Sequence, residues 1–200
     1  MKIEIVGDIM EDGISFSHNL RNGESVYKFT VGSARNSGVV DEIPCQIVSG
    51  FLDSHPGLNE GDKVHVFGEI RTRNYKKHLE VYVWCNSLDN APDSASDVNR
   101  VELEKGFIAK EPTFRKTKKN WRSISDLIVA VNEARYNKSS YIPCLAWGRY
   151  ANMVKDWSIG SEVRGTGRFQ SRYYDKNVDG IWVTKITYEI SLNNIEEVRE

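Results

Sequence analysis

The second half of the chain interleaves aromatic and cationic side chains over short distances. Residues 114–122 read FRKTKKNWR, and residues 168–176 read RFQSRYYDK. Aromatic rings stack on unpaired nucleic-acid bases, at about 1–3 kcal/mol per base, while lysine and arginine side chains follow the phosphates. The pattern therefore predicts base stacking and phosphate neutralisation as the chemistry of this half.

The candidate contact residues lie mostly in the second half, with a smaller group in the first. The basic candidates of the second half are Lys116, Lys118, Lys119, Arg122, Arg149, Arg168 and Arg172. Its aromatic candidates are Trp121, Tyr136, Tyr141, Trp147 and Tyr174. The first half contributes Arg71, Arg73 and Tyr75. Burial in a core is the competing interpretation of the aromatic residues, and a solvated turn is that of the lysines.

The charge of the chain is divided unevenly between its halves. The formal net charge of the whole chain is −1. Residues 1–98 hold 9 Lys and Arg against 15 Asp and Glu, a net charge of −6, whereas residues 99–200 hold 18 against 13, a net charge of +5. Because counterion release on binding a polyanion is a local effect, this asymmetry is more informative than the whole-chain charge.

An Ile-Pro-Cys motif of the first half returns in the second, which predicts an internal duplication. The motif stands at residues 43–45 and again at residues 142–144, a lag of 99 residues. A glycine and a valine that follow the motif return at the same lag. The duplication predicts a first domain at residues 1–89, a polar linker at residues 90–98 and a second domain at residues 99–200.

Alternating polar and apolar residues dominate both copies, as expected of half-buried strands. Clear examples are residues 27–31 and 79–83 in the first copy and residues 163–168 in the second. The helix candidates are residues 48–58 and 149–157. Five strands with one short helix between the third and the fourth are the plan of an OB-fold, with another small barrel as the alternative. The predicted fold class is all-β, with two tandem five-stranded OB-fold barrels, each with one short helix.

The sequence predicts no catalysis, metal site or cofactor, and the chain is predicted not to be an enzyme. None of the four histidines is spaced from a cysteine or from another histidine as metal ligands are. The cysteines, Cys45, Cys85 and Cys144, form no Cys-x-x-Cys pair, and buried thiols are predicted. The N-terminal residues lack the basic start and long apolar run of a signal peptide, so the predicted location is the cytoplasm.

Taken in order, the motifs of the second copy resemble those of the bacterial single-stranded DNA-binding protein family, from about residue 99 to residue 198. Residues 99–106 are similar to the family's opening Asn-x-Val-x-Leu-x-Gly strand, with one residue inserted. The other matching segments are residues 139–141 (SSY) and 147–149 (WGR), similar to Thr-Glu-Trp and Phe-Gly-Lys, and residues 159–163 (IGSEV) and 167–174 (GRFQSRYY), similar to Lys-Gly-Ser-x-Val and Gly-x-Leu-x-Thr-Arg-x-Trp.

The resemblance implies four base-stacking positions in the second copy. These are Tyr136, Tyr141, Trp147 and Tyr174, and the first copy has Asn36, Glu42, Val48 and Tyr75 at the corresponding positions. The first barrel is therefore interpreted as degenerate and supporting, and the second as the main DNA-binding barrel. Since relatives with one barrel per chain assemble as tetramers, the resemblance also implies a homodimer with four OB-folds.

Two functions fit these patterns. The first hypothesis is sequence-tolerant binding and protection of single-stranded DNA in replication, recombination or repair. The alternative is an interaction module, similar to the OB-fold components of primosomes, that docks a replication partner and binds single-stranded DNA or RNA weakly. Replication or repair proteins are the expected protein partners, and no membrane association is expected.

Overall fold

The computed structural model describes residues 1–54, 57–76, 78–118, 120–133 and 137–198. The first half holds β1 (Lys2–Ile9), β2 (Ser15–Asn19), β3 (Ser25–Ala34), β4 (Val40–Val48), α1 (Ser49–Asp53), β5 (Lys63–Tyr75) and β6 (His78–Asn90). The second half holds β7 (Val98–Ile108), β8 (Thr113–Lys116), β9 (Ser123–Glu133), β10 (Lys138–Trp147), α2 (Arg149–Val154), β11 (Glu162–Val178) and β12 (Ile181–Glu197). Both helices begin close to their predicted first residues and end earlier than predicted. No helix in the described residues has the length and apolar character needed to cross a membrane.

Each half closes into a five-stranded barrel. In the first half β1 pairs with β3 and β5, β3 pairs with β4, β5 pairs with β6, and a parallel β4–β6 contact completes the circle. In the second half β7, β9, β10, β11 and β12 repeat this order. The predicted tandem OB-fold is confirmed. The strands β2 and β8 are additional, and each forms a hairpin with the strand that follows it.

Alternate residues of the long strands are apolar and point into the barrels, and a glycine lies at a β-bulge in both β5 and β11. In β11, Val163 and Phe169 are fully buried, and Val64 and Val66 are buried in β5. The register shifts next to Gly68 and Gly167, which lie 99 residues apart. A Cβ atom at Gly167 would stand 2.6 Å from the carbonyl oxygen of Ser191, so the close approach at this bulge requires glycine.

The predicted burial of the cysteine thiols is confirmed. Cys45, Cys85 and Cys144 are free and buried. Burial raises the pKa of the Cys45 and Cys144 thiols above its ordinary value. Both thiols therefore stay protonated near neutral pH and are poor nucleophiles, as expected of structural cysteines.

The two barrels join around an approximate twofold axis. Strands β1 and β7 pair antiparallel from Lys2 opposite Glu102 to Val6 opposite Val98, with Glu4 opposite Arg100 at the centre. The flanking contacts repeat with a lag of 99 residues. The backbone N–H of Glu42 donates to Ser171 Oγ at 2.9 Å, and the backbone N–H of Tyr141 donates to Thr72 Oγ1 at 3.0 Å. The duplication thus produces the contact between the barrels as well as the barrels themselves.

A buried carboxylate breaks this symmetry. Asp41 is fully buried and accepts hydrogen bonds from Arg35 Nε at 2.9 Å and from the backbone N–H of Ser171 at 3.0 Å. The guanidinium of Arg168 lies 3.4 Å from the same carboxylate. The position related to Asp41 is Ser140, which donates to Glu133 instead. The two ends of this contact between the barrels therefore hold different polar groups.

The segment between β6 and β7, residues 91–97, contains no strand or helix but is attached to the first barrel. Asp97 accepts a hydrogen bond from the backbone N–H of Ala34 at 2.6 Å and forms an ion pair with Lys63 at 2.8 Å. These contacts and the β1–β7 pairing fix where the second barrel starts relative to the first.

Candidate nucleic-acid interface

The strand register places five of the predicted contact residues of the second barrel on one side of its sheet. Paired residues on neighbouring strands point to the same side. The pairs that define this side include Tyr174 with Lys185, Arg172 with Thr187, Gln170 with Glu189, Arg168 with Ser191, Leu145 with Ser191, and Leu145 with Asp126. Phe169, between Arg168 and Gln170, points into the core. We call this side of β9–β12 the outer face.

Three predicted stacking residues lie on the outer face. Tyr141 and Trp147 share it because they have the same parity on β10. Tyr141 is 54% exposed and Tyr174 is 38% exposed. Trp147 is half-buried, and its indole Nε1 donates to Ser191 Oγ at 3.0 Å, which fixes the orientation of the ring. Tyr136 lies outside the described residues. Two open tyrosine rings and one anchored indole thus stand on a common surface.

Two arginines of β11 flank these rings. Arg172 is exposed over half of its side chain and lies 3.6 Å from the carboxylate of Glu189. Arg168 is less exposed because its guanidinium also reaches Asp41 of the first barrel. Burial lowers the pKa of Arg168, but an arginine side chain remains charged near neutrality. The junction between the barrels therefore limits how freely Arg168 can turn towards a phosphate.

A cavity of about 550 Å³ lies at the end of the outer face beside Trp147. Arg122, Arg149 and Arg168 all line it. The Arg149 guanidinium stacks on the ring of Tyr150, with its carbon atom 4.7 Å from the ring centre. Three cations around one indole form a setting in which a stacked base and its phosphate could both be held.

The β8–β9 turn extends this basic end of the barrel into solvent. Its predicted contact residues Lys116, Lys118 and Arg122 are exposed, and Trp121 is 75% exposed. Thr117 shapes the turn, because its Oγ1 accepts a hydrogen bond from the backbone N–H of Arg122 at 3.0 Å. Lys119 lies outside the described residues. Arg122 also lines the cavity beside Trp147, so the turn adjoins this end of the outer face.

The candidates of the first barrel separate into an exposed pair and a buried residue. Tyr75 is exposed, and the Arg73 guanidinium lies 5.5 Å from its ring centre. Arg71 is only 8% exposed, stacks on Trp84 at 4.9 Å and lies 3.8 Å from Glu133 of the second barrel. Because the contact between the barrels covers Arg71, we leave it out of the proposed interface.

A cleft of about 980 Å³ between the barrels brings the two related tyrosines to one site. Arg73 and Tyr75 line its first-barrel side, and Tyr174, Lys176 and Lys185 line the other. Lys176 and Lys185 are absent from the sequence-predicted set. Lys176 could have been found from its parity with Arg172 and Tyr174, whereas Lys185 needed the register of β12 against β11.

Two carboxylates also lie on the outer face, and sequence reasoning missed both. Asp126 receives both hydrogen bonds of the Arg115 guanidinium fork, at 2.6 and 3.0 Å. The carboxylate of Glu189 is mostly buried between Gln170 and Arg172. Burial raises the pKa of Glu189, while Arg172 opposes the shift. The outer face is therefore a basic and aromatic surface with an acidic group at its centre.

Comparison with known proteins identifies the family. The model of the single-strand binding protein family matches residues 98–198, just over half of the chain. The chain belongs to the single-strand binding protein family. This confirms the resemblance seen in the sequence, and it places the family match on the barrel that carries the outer face. A search of curated proteins found no match.

Two solved structures have the fold of this single-strand binding family member along its whole length. The wild-type single-stranded DNA binding protein from Thermus aquaticus matches with a TM-score of 0.78 and 16% sequence identity, covering 100% of this chain and 93% of that chain. A deletion mutant of the same Thermus aquaticus protein matches with a TM-score of 0.76 and 17% identity, covering 100% and 94%. At these identities the similarity concerns the fold.

Proposed function

We propose that the chain binds single-stranded DNA with little dependence on sequence and protects it during replication, recombination or repair. The observation that carries this proposal is the shared outer face of Tyr141, Trp147 and Tyr174, with Arg168 and Arg172 beside the rings. Aromatic stacking tolerates any base, because every base has a π-face, and cations bind the backbone that all sequences share. Membership of the single-strand binding protein family supports the same function.

The proposed interface assigns a role to each group of residues. Tyr141, Trp147 and Tyr174 stack on bases, with Tyr136 and Trp121 as further stacking candidates. Arg122, Arg149, Arg168, Arg172, Lys116, Lys118 and Lys119 bind phosphates, and Arg73 and Tyr75 extend the path towards the first barrel. The proposed division therefore keeps residues 99–200 as the main binding domain, residues 1–89 as the supporting one and residues 90–98 as the linker.

The alternative, a docking module with weak nucleic-acid binding, is less favoured. The family match covers the barrel in which aromatic and basic side chains share the outer face. Replication or repair proteins remain the proposed protein partners of the bound complex.

We expect the affinity for a dT oligomer to fall steeply with salt. Each phosphate contact on a single strand contributes about −0.7 to the slope of log affinity against log salt. About five contacts would lower the affinity roughly a hundredfold between 50 and 200 mM salt. The measurement is quenching of the intrinsic fluorescence on titration with the oligomer at several salt concentrations.

A peptide nucleic acid oligomer of the same sequence is the matched control, since it keeps the bases and lacks the phosphates. Its binding should be weak and nearly independent of salt. Failure of the dT oligomer to bind at micromolar concentrations in low salt would reject the proposed function. A flat salt profile would reject the assigned role of the arginines and lysines.

We infer that two chains assemble into a homodimer with four barrels in the cytoplasm, where three free thiols would stay reduced. An apolar hairpin tip supports self-association, because Ile181 and Trp182 are exposed at the turn between β11 and β12. Light scattering at micromolar concentration should give twice the chain mass of 22.8 kDa. A mass equal to that of one chain would contradict the homodimer.

A further inference from the structure

The centre of the outer face carries an ordered row of polar side chains between its stacking rings. Arg168 donates to Gln170 Oε1 at 3.4 Å, and Gln170 Nε2 donates to Glu189 Oε1 at 3.2 Å. Arg172 Nε lies 3.6 Å from the same oxygen. Trp147 stands at one end of this row, through its hydrogen bond to Ser191, and Tyr174 follows Arg172 at the other. A base held between the rings would lie over this row.

The two carboxylates of the outer face differ in what they can still accept. Both oxygens of Asp126 are held by the fork of Arg115. The contacts that Glu189 makes with the described residues all fall on Oε1. Its side chain keeps about 10% exposure. Glu189 therefore presents a fixed, charged acceptor at the bottom of the base-binding surface, whereas Asp126 is already neutralised.

A buried carboxylate is an unexpected group beneath a polyanion, since it repels phosphates. The same carboxylate is well suited to accept a hydrogen bond from a base edge that carries N–H donors. Cytosine presents its N4 amino group, which pairs with glutamate or aspartate in direct readout, whereas thymine presents the O4 carbonyl at the same place. Two acceptors facing each other repel, so the carboxylate would favour cytosine and disfavour thymine.

We propose that Glu189, oriented by Gln170 and Arg172, accepts a hydrogen bond from the exocyclic amino group of one bound base. The outer face then prefers cytosine to thymine at that position. This inference rests on the proposed binding of single-stranded DNA and adds a modest composition preference to it. Glu189 is the specificity-determining residue, and the rings and arginines supply the affinity.

The test compares dC and dT oligomers of equal length on three proteins, at pH 7.5 to keep cytosine neutral. The proteins are the wild type, Glu189→Met and the control Asp126→Leu. Both substitutions remove one negative charge from the outer face, so their electrostatic effect cancels in the ratio of dC to dT affinity. We expect this ratio to fall at least about tenfold in Glu189→Met, the value of a hydrogen bond to a charged acceptor. It should stay within about twofold of the wild type in Asp126→Leu, because the Asp126 oxygens are already occupied.

A second measurement uses the unaltered protein and does not depend on the folding of a variant. An oligomer of N4,N4-dimethylcytosine keeps the ring and removes both amino hydrogens. The wild type should bind it several-fold more weakly than dC. Equal binding of these two oligomers, or an unchanged ratio in Glu189→Met, would overturn the role of Glu189 while dT binding still supports the proposed function. If the wild type bound none of these oligomers, the proposed function would be rejected, and this inference with it.

Discussion

Replacing Trp147 and Tyr174 together by alanine should lower the affinity for a dT oligomer at least about thirtyfold. Each ring stacked on a base contributes about 1–3 kcal/mol, so two rings contribute at least about 2 kcal/mol. Trp147 is also held in place by its hydrogen bond to Ser191, so its side chain loses little conformational entropy when a base binds. Anisotropy of a labelled oligomer is the suitable measurement, because the substitution removes one of the protein's own fluorophores.

The neighbouring residue Tyr173 supplies a matched control. It lies on the same strand as Tyr174 and points to the opposite side, where its hydroxyl donates to Glu42 of the first barrel at 2.6 Å. Tyr173→Ala should change the affinity by no more than about twofold, since its ring faces away from the outer face. An equal loss in both variants would show that the shape of the hairpin matters rather than the rings of the outer face.

Replacing Asp41 by alanine should lower the free energy of unfolding by about 3 kcal/mol. Asp41 is fully buried and neutralises Arg35 and Arg168, one from each barrel. Removing the carboxylate leaves these cations and the backbone N–H of Ser171 without their buried acceptor. Urea unfolding followed by circular dichroism measures the change.

An exposed ion pair is the appropriate comparison for this stability effect. Lys2 and Glu104 form a pair across the β1–β7 contact, and their side chains are 61% and 58% exposed. Glu104→Ala should hardly change the free energy of unfolding, because water and salt screen the pair. If Asp41→Ala were as mild as Glu104→Ala, the buried ion pairs would not be what stabilises the junction.

The local pattern of the sequence was sufficient for the fold class and for most of the outer face. A repeated Ile-Pro-Cys motif and alternating apolar residues predicted two barrels, because strand periodicity and duplication are both visible along the chain. Parity alone placed Arg168 and Arg172 together, and the strand pairing agrees with it. Phe169 is buried in the core, whereas Trp147 is half-buried and lies between the two interpretations left open for it.

Contacts between distant parts of the chain decided the rest. The sequence predicted Arg71 as a contact residue on the same strand as Arg73, but Trp84 and Glu133 enclose its guanidinium. The sequence by itself determined which residues alternate on each strand, because that periodicity is a local property of extended backbone. Only the tertiary structure decided which faces stay open and which carboxylate lies between the stacking residues, because those depend on strand register and on how one barrel packs against the other.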